Sequence, residues 1–165
     1  MSIQRVALSI LVAVALLAAP AAADQPTAAT ETAEISLQQL DAASALTLLR
    51  TIADTRGPKM VDERTVGITD SPEVVALARS VVDLAEHPSE TAGEIATHAA
   101  ADGSVIAAVR LQHASMADVA RMLRTEVKIH KAAYNEALST VVVRDTPEQV
   151  EAAIALIRRL DQPQQ

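Results

Sequence analysis

The chain has 165 residues, half of them apolar, with 14 Lys and Arg against 21 Asp and Glu, for a formal net charge of −7. That sign and size argue against nucleic acid or anionic lipid as a partner, because both are held through clustered basic side chains. No cysteine occurs, which removes disulfides, thiol chemistry and lipid attachment on a cysteine, and a single aromatic residue, Tyr134, leaves the interior to Ala, Val, Leu and Ile.

Met1 to Arg5 form a short positive head, Val6 to Ala19 an uncharged apolar run, and Ala21-Ala22-Ala23 a small-residue cleavage site. Residues 1–23 therefore read as a secretory signal peptide cut after Ala23. The apolar run is shorter than the roughly 20 residues of a bilayer span, so a periplasmic protein without a stable membrane anchor is expected. Cleavage would remove Arg5 as the only charged side chain, leaving 13 basic residues against 21 acidic ones, a net of −8. Residues 24–33, with Pro26, three Thr and several Ala but no periodicity, read as a flexible leader.

Folded structure is expected from residue 34 on. Ile35 to Leu37 form a short strand, and Asp41 caps a helix with Ala42, Ala45, Leu46, Leu49 and Ala53 on one face, ended by Gly57-Pro58. Lys59 to Asp62 and Thr65 to Thr69 are strands joined near Glu63-Arg64, and Ser71 to Glu86 is a second helix presenting Val74, Leu77, Ala78, Val81 and Val82. Residues 89–93 read as a linker. Glu94 to Ala100 and Ser104 to Gln112 then flank Asp102-Gly103, a hairpin signal whose first arm is weak in strand formers. Ser115 caps a helix with Met116, Val119, Ala120, Leu123 and Val127 inside. Strands follow at Ile129 to Ala133 and Ser139 to Arg144, with Tyr134 to Leu138 as their turn. The last helix starts at Thr146-Pro147, where Gln149 completes a capping box. It keeps Val150, Ala153, Ile154, Ile157 and Leu160 on one side and stops at Asp161-Gln162-Pro163.

The order strand, helix, strand, strand, helix thus occurs twice, and so do the words that punctuate it. Asp70-Ser71-Pro72-Glu73 answers Asp145-Thr146-Pro147-Glu148, and Glu86-His87-Pro88 answers Asp161-Gln162-Pro163. Ile35-Ser36-Leu37-Gln38 lines up with Val109-Arg110-Leu111-Gln112. A tandem duplication is the reading, with units at 34–88 and 94–165. Each is expected to be an α+β module with a three-stranded sheet covered on one face by two helices. Units so small and so poor in aromatics have thin cores, so stacking on a neighbour would stabilise both.

Val142 to Glu148 and Leu160 to Pro163 resemble the strand-to-helix junction and helix-ending Leu-Asp-x-Pro of the secretin N-terminal (NolW-like) modules, which stack in the periplasmic part of secretion and pilus channels. Asp62-Glu63-Arg64-Thr65 is close to that family's Asp-x-Arg-Thr, whereas Tyr134-Asn135-Glu136-Ala137 departs from it. The resemblance implies two tandem KH-like modules without the channel domain. It implies a protein–protein interaction role as an accessory or detached component of a type II secretion or type IV pilus system. The partner would be a secretin, another secretion or pilus component, or a second copy of the chain. A truncated remnant of a secretin and a small periplasmic enzyme remain the alternatives. The KH nucleic-acid signature Gly-x-x-Gly is absent, in keeping with the charge.

Neither a catalytic nor a cofactor site is indicated. Among four glycines there is no nucleophile elbow, phosphate loop or dinucleotide fingerprint, and no two of His87, His98, His113 and His130 stand at i, i+4 spacing for a metal. The candidate site is a binding face. If Val141 and Val143 point toward the helices with Val105, Ala107, Val109 and Leu111, then Ile106, Ala108 and Val142 point the other way beside Arg110 and Arg144. These five residues form an apolar patch with a basic edge on the helix-free face of the second sheet. Either a partner covers it or the first unit, or the 94–100 arm, already does.

Overall fold

β-Branched runs at Thr65 to Asp70 and Thr140 to Asp145 become central strands, and everything else is arranged on them. The computed structural model describes residues 29–88 and 95–163, so the expected signal peptide, most of the leader and the linker at 89–93 lie outside the described residues. The first unit contains β1 (Glu31–Ser36), α1 (Ala42–Ile52), β2 (Lys59–Asp62), β3 (Thr65–Asp70) and α2 (Pro72–Glu86). The second contains β4 (Ala96–Ala99), β5 (Val105–Arg110) and α3 (Met116–Met122), which continues as a π-helical turn over Leu123–Val127. It ends with β6 (Lys131–Asn135), β7 (Thr140–Asp145) and α4 (Pro147–Leu160).

Both sheets are antiparallel, with strand orders β1-β3-β2 and β4-β5-β7-β6. The helices begin where side-chain oxygens accept the first free N–H groups: Asp41 from Ser44, Ser71 from Val74, Ser115 from Asp118 and Thr146 from Gln149. Some boundaries differ from the sequence reading. Glu31 to Ala33 belong to β1 rather than to a leader, because β3 offers a partner along their whole length. α1 ends at Ile52, before Gly57, where Asp54 takes a left-handed conformation at φ 56°. Tyr134 and Asn135 pair with Val141 and Thr140 inside β6, so the turn shrinks to residues 136–139. β4 gives the second sheet a fourth strand where a three-stranded sheet was expected.

The same hydrogen bonds appear in both units at nearly constant spacing. Leu37 N donates to Arg64 O and Leu111 N to Ser139 O; Thr55 N donates to Leu49 O and Ile129 N to Leu123 O. Asp70 accepts from Ser71 N and Arg56 N, as Asp145 does from Thr146 N and His130 N. The left-handed Asp54 is matched by Lys128 at φ 60°. The helix-ending acids have a further role. The N–H groups of Gln38, Gln39 and Leu40 donate to Glu86 Oε1 at 2.6, 2.9 and 3.1 Å, and those of Gln112, His113 and Ala114 donate to Asp161. In each unit the last helix thus closes the loop that enters the first one, satisfying backbone donors that no strand or helix reaches.

The two units are stacked rather than strung out. α1 and α2 touch β1, β2 and β3 on one side and β4, β5, β6 and β7 on the other. One core runs through this sandwich, from Ile35, Val66 and Ile68 through Leu49, Ile52, Val75 and Val81 to Ile106, Ala108, Ala133 and Val142. A second core lies on the far side of the second sheet, where Ala107, Val141 and Val143 meet Val119, Leu123, Val150 and Ile157. The layers are therefore sheet, helices, sheet, helices. Each unit keeps its own two helices on one face of its own sheet, and the helix-free face expected for the second sheet is covered by the first unit's helices. The first unit's helices are buried on both sides because α2 carries Val75, Ala78, Val81, Val82, Leu84 and Ala85, an apolar arc too wide for one contact.

Candidate functional site

The alternation along β5 and β7 sends Ala107, Val141 and Val143 into the α3–α4 core and Ile106, Ala108 and Val142 to the opposite face, as the strand period requires. That opposite face is closed. Ile106 and Ala108 are fully buried and Val142 is 2% exposed, beneath α1 and α2 of the first unit. An exposed patch of these residues is therefore corrected: the apolar surface is consumed inside the chain, because two helices that are apolar on both sides need a second sheet to cover them. Of the five candidate residues, Arg110 is half-buried at the end of β5 and Arg144 is 7% exposed.

Arg144 is where the two units are tied by polar bonds. Its Nη1 donates to Ile52 O at 2.6 Å and to Asp54 Oδ2 at 3.2 Å, both in the first unit. Its Nη2 donates to Asp102 Oδ2 at 2.7 Å and its Nε to Ser104 Oγ at 2.8 Å, both in the β4–β5 hairpin. Lys131 pairs with Asp54 as well. A planar guanidinium can serve such a divided set of acceptors where an ammonium could not. The hairpin is built to receive it: Gly103 turns at φ 82°, and Asp102 Oδ1 accepts from Ser104 N and Oγ at 3.0 and 2.6 Å, leaving Oδ2 to Arg144. The Ser104 bonds, with Arg144 behind them, hold the Asp102 carboxyl down at about 2. Asp145, where burial pushes upward, is still lowered because the Thr146 and His130 N–H groups outweigh it.

Sequence reasoning placed Arg144 on the correct face and missed its partners Asp54, Asp102 and Ser104. The sequence marks Asp102 only as a turn former, and Asp54 stands in a helix terminus that no periodicity marks. The sequence signal for a covered face was the excess of apolar residues around α2.

Two clefts adjoin the junction, and Ala43 of α1 lines both. One, of about 260 Å³, lies between α1 and β6, with Leu48, Ala133 and Val142 in its wall and Thr47, Tyr134 and Asn135 among its polar residues. It contains no carboxylate or imidazole. The other, of about 360 Å³, lies beside β2 and includes Asp41, Met60, Glu63 and Arg64. A separate cleft of about 160 Å³ brings His113, Glu136 and Ser139 together, but no side-chain hydrogen bond joins them. Among the described residues no group of three or more His, Cys, Asp or Glu could hold a metal ion. Among the described residues the exposed large apolar side chains Met60, Val61 and Tyr134 all stand on the edge strands β2 and β6; Met60 and Tyr134 line the clefts beside α1, and Val61 lies against Gly67 on the helix-free face.

Residues 106–165 match the family described as the bacterial type II/III secretion system short domain. The match runs from β5 through α4, so it covers most of the second unit and none of the first. A search of curated proteins found no match. Among solved structures the chain is similar to a dimeric mutant of the N-terminal domain of the secretin XcpQ from Pseudomonas aeruginosa, at 15% identity and a TM-score of 0.34, covering 81% of this chain and 60% of that one. It is also similar to the ETEC pilotin–secretin AspS–GspD complex, at 19% identity and 0.32, covering 84% of this chain and 25% of that one. For Aeromonas hydrophila ExeD the figures are 17% and 0.32, with 84% and 29% covered. The chain thus spans less than two thirds of each of these structures' lengths. At such scores the layered arrangement described above rests on this chain's own contacts.

Proposed function

We propose that the chain is a periplasmic protein–protein interaction module of a type II or type III secretion or type IV pilus machinery, exported by cleavage after Ala23. It is built from two modules of one kind, 34–88 and 94–165, joined at 89–93. The observation that carries this reading is the family match of residues 106–165, extended to the first unit by the recurrence of its hydrogen bonds. Because the sheet face of the second module is spent on the first, the partner surface is the flank of β2, α1 and β6. There Met60, 53% exposed, and Tyr134 each line a cleft. This surface suits a protein or a second copy of the chain rather than a small substrate, since its polar residues do not converge on one point.

The test is site-specific photo-crosslinking in the native cell from position 60 or 134, with position 69 on the opposite sheet face as control. A secretin or another secretion component joined from 60 and 134 and not from 69 is the expected result. Crosslinks of equal yield from all three positions, or an intact Met1 form confined to the cytoplasm, would overturn the proposal.

A further inference from the structure

We infer that the outer edge of β1 is a strand-addition site for a basic, extended segment of a partner protein. The starting observation is an asymmetry between the two sheets. β5 and β1 occupy equivalent places, each pairing with the strand that precedes its unit's last helix. The outer edge of β5 is filled by β4, in antiparallel register from Ala96 opposite Ala108 to Ala99 opposite Val105. The outer edge of β1 has no such strand among the described residues. The equivalence of the modules proposed above thus supplies both the position and the direction of the missing strand.

The edges of the first sheet are not alike. β2 has four residues, a register irregularity between Met60 and Asp62, and Lys59 and Asp62 at its ends, all features that blunt an edge against pairing. β1 has six residues in unbroken register with β3, from Glu31 opposite Asp70 to Ser36 opposite Thr65. Its backbone therefore presents a straight row of groups to the outside, the feature on which strand addition depends.

Charge decides the occupant. Thr32, Glu34 and Ser36 are exposed along β1 on the side away from the core residues Ala33 and Ile35, and Glu31 is paired at 3.3 Å with Arg79 of α2. A second copy adding its own β1 antiparallel with outward faces aligned would set Glu34 opposite its counterpart, which like-charge repulsion opposes, and the chain's net charge of −7 adds to that. An incoming strand with Lys or Arg at alternate positions and small or hydroxyl residues between them fits instead.

The test is nuclear magnetic resonance on the ¹⁵N-labelled chain at low salt, with a synthetic hexapeptide of alternating Lys and Val or Thr as the probe and the same peptide with Glu in place of Lys as the control. The expected result is shifts concentrated on β1 amides, slowed hydrogen exchange there, and at least tenfold weaker binding of the Lys peptide by Glu34→Lys, whose fold is checked by its unchanged β3 and α2 signals. Shifts centred on β2, β6 or the sheet faces would overturn the edge assignment while leaving the module equivalence intact. Equal binding of the Glu peptide would overturn the charge argument. β1 edge amides already protected in the free chain would give the site to another occupant: a second copy if protection rises with protein concentration, or the chain's own residues before 29 if it does not.

Discussion

Replacing Val142 with Asp separates a covered sheet face from an open one. Val142 is 2% exposed, among Ile106, Ala108 and Ala133 and under the first unit's helices. Losing the buried valine costs about 1.5–3 kcal/mol. Placing a carboxylate there without a partner adds several kcal/mol more, on the order of 3 after relaxation. The sum, roughly 5 kcal/mol, rivals the whole stability of a small domain, about 5–15 kcal/mol. Equilibrium urea denaturation should therefore show either loss of the folded state or an early transition in which the second sheet parts from α1 and α2. The companion variant Thr69→Asp lies on the exposed side of β3, where it loses one exposed hydrogen bond to Thr32 and some strand propensity, and should cost about 1 kcal/mol. A buried introduced carboxylate would have a raised pKa, so the penalty at position 142 should shrink as pH falls toward 4. If Val142→Asp unfolds within about 0.5 kcal/mol of the parent, the reasoning from layered packing is refuted.

Other variants probe the polar ties. Arg144→Met strands the Ile52 carbonyl but frees Asp54 and Asp102, each more than half exposed, to water, so a loss of about 1–3 kcal/mol in urea denaturation is expected, well below that of Val142→Asp. Glu86→Ala leaves three backbone N–H groups without their acceptor and should cost about 3 kcal/mol, with Glu86→Gln recovering part of it through its amide oxygen; calorimetry on the pair checks this. Asp102, held at about 2 in the folded chain against an ordinary 3.8, contributes stability that is present above pH 4 and lost as pH falls through 2. Parent and Asp102→Asn should therefore differ at pH 7 and converge near pH 2 in acid titrations followed by circular dichroism.

Apart from β4, the order of elements, their caps and the inward-outward alternation of the central strands followed from the sequence alone. Those are local properties, fixed by β-branched runs, by Asp, Ser and Thr ahead of helices, and by a strand period of two that cannot slip by one residue without turning the core outward. The recurring words were legible for the same reason, since Asp70 and Asp145, or Glu86 and Asp161, accept corresponding backbone hydrogen bonds in the two halves. Only the tertiary structure decided what covers the face of Ile106, Ala108 and Val142. Alternation tells which residues share a face. Whether water, a partner or another part of the chain lies against it depends on contacts between elements distant in the chain, such as α2 with β5 or Arg144 with Ile52 and Asp54, and no local pattern encodes them. The width of the apolar arc on α2 set the demand for a second sheet, and stacking met it because burying both helix faces removes more apolar surface from water than either unit could alone.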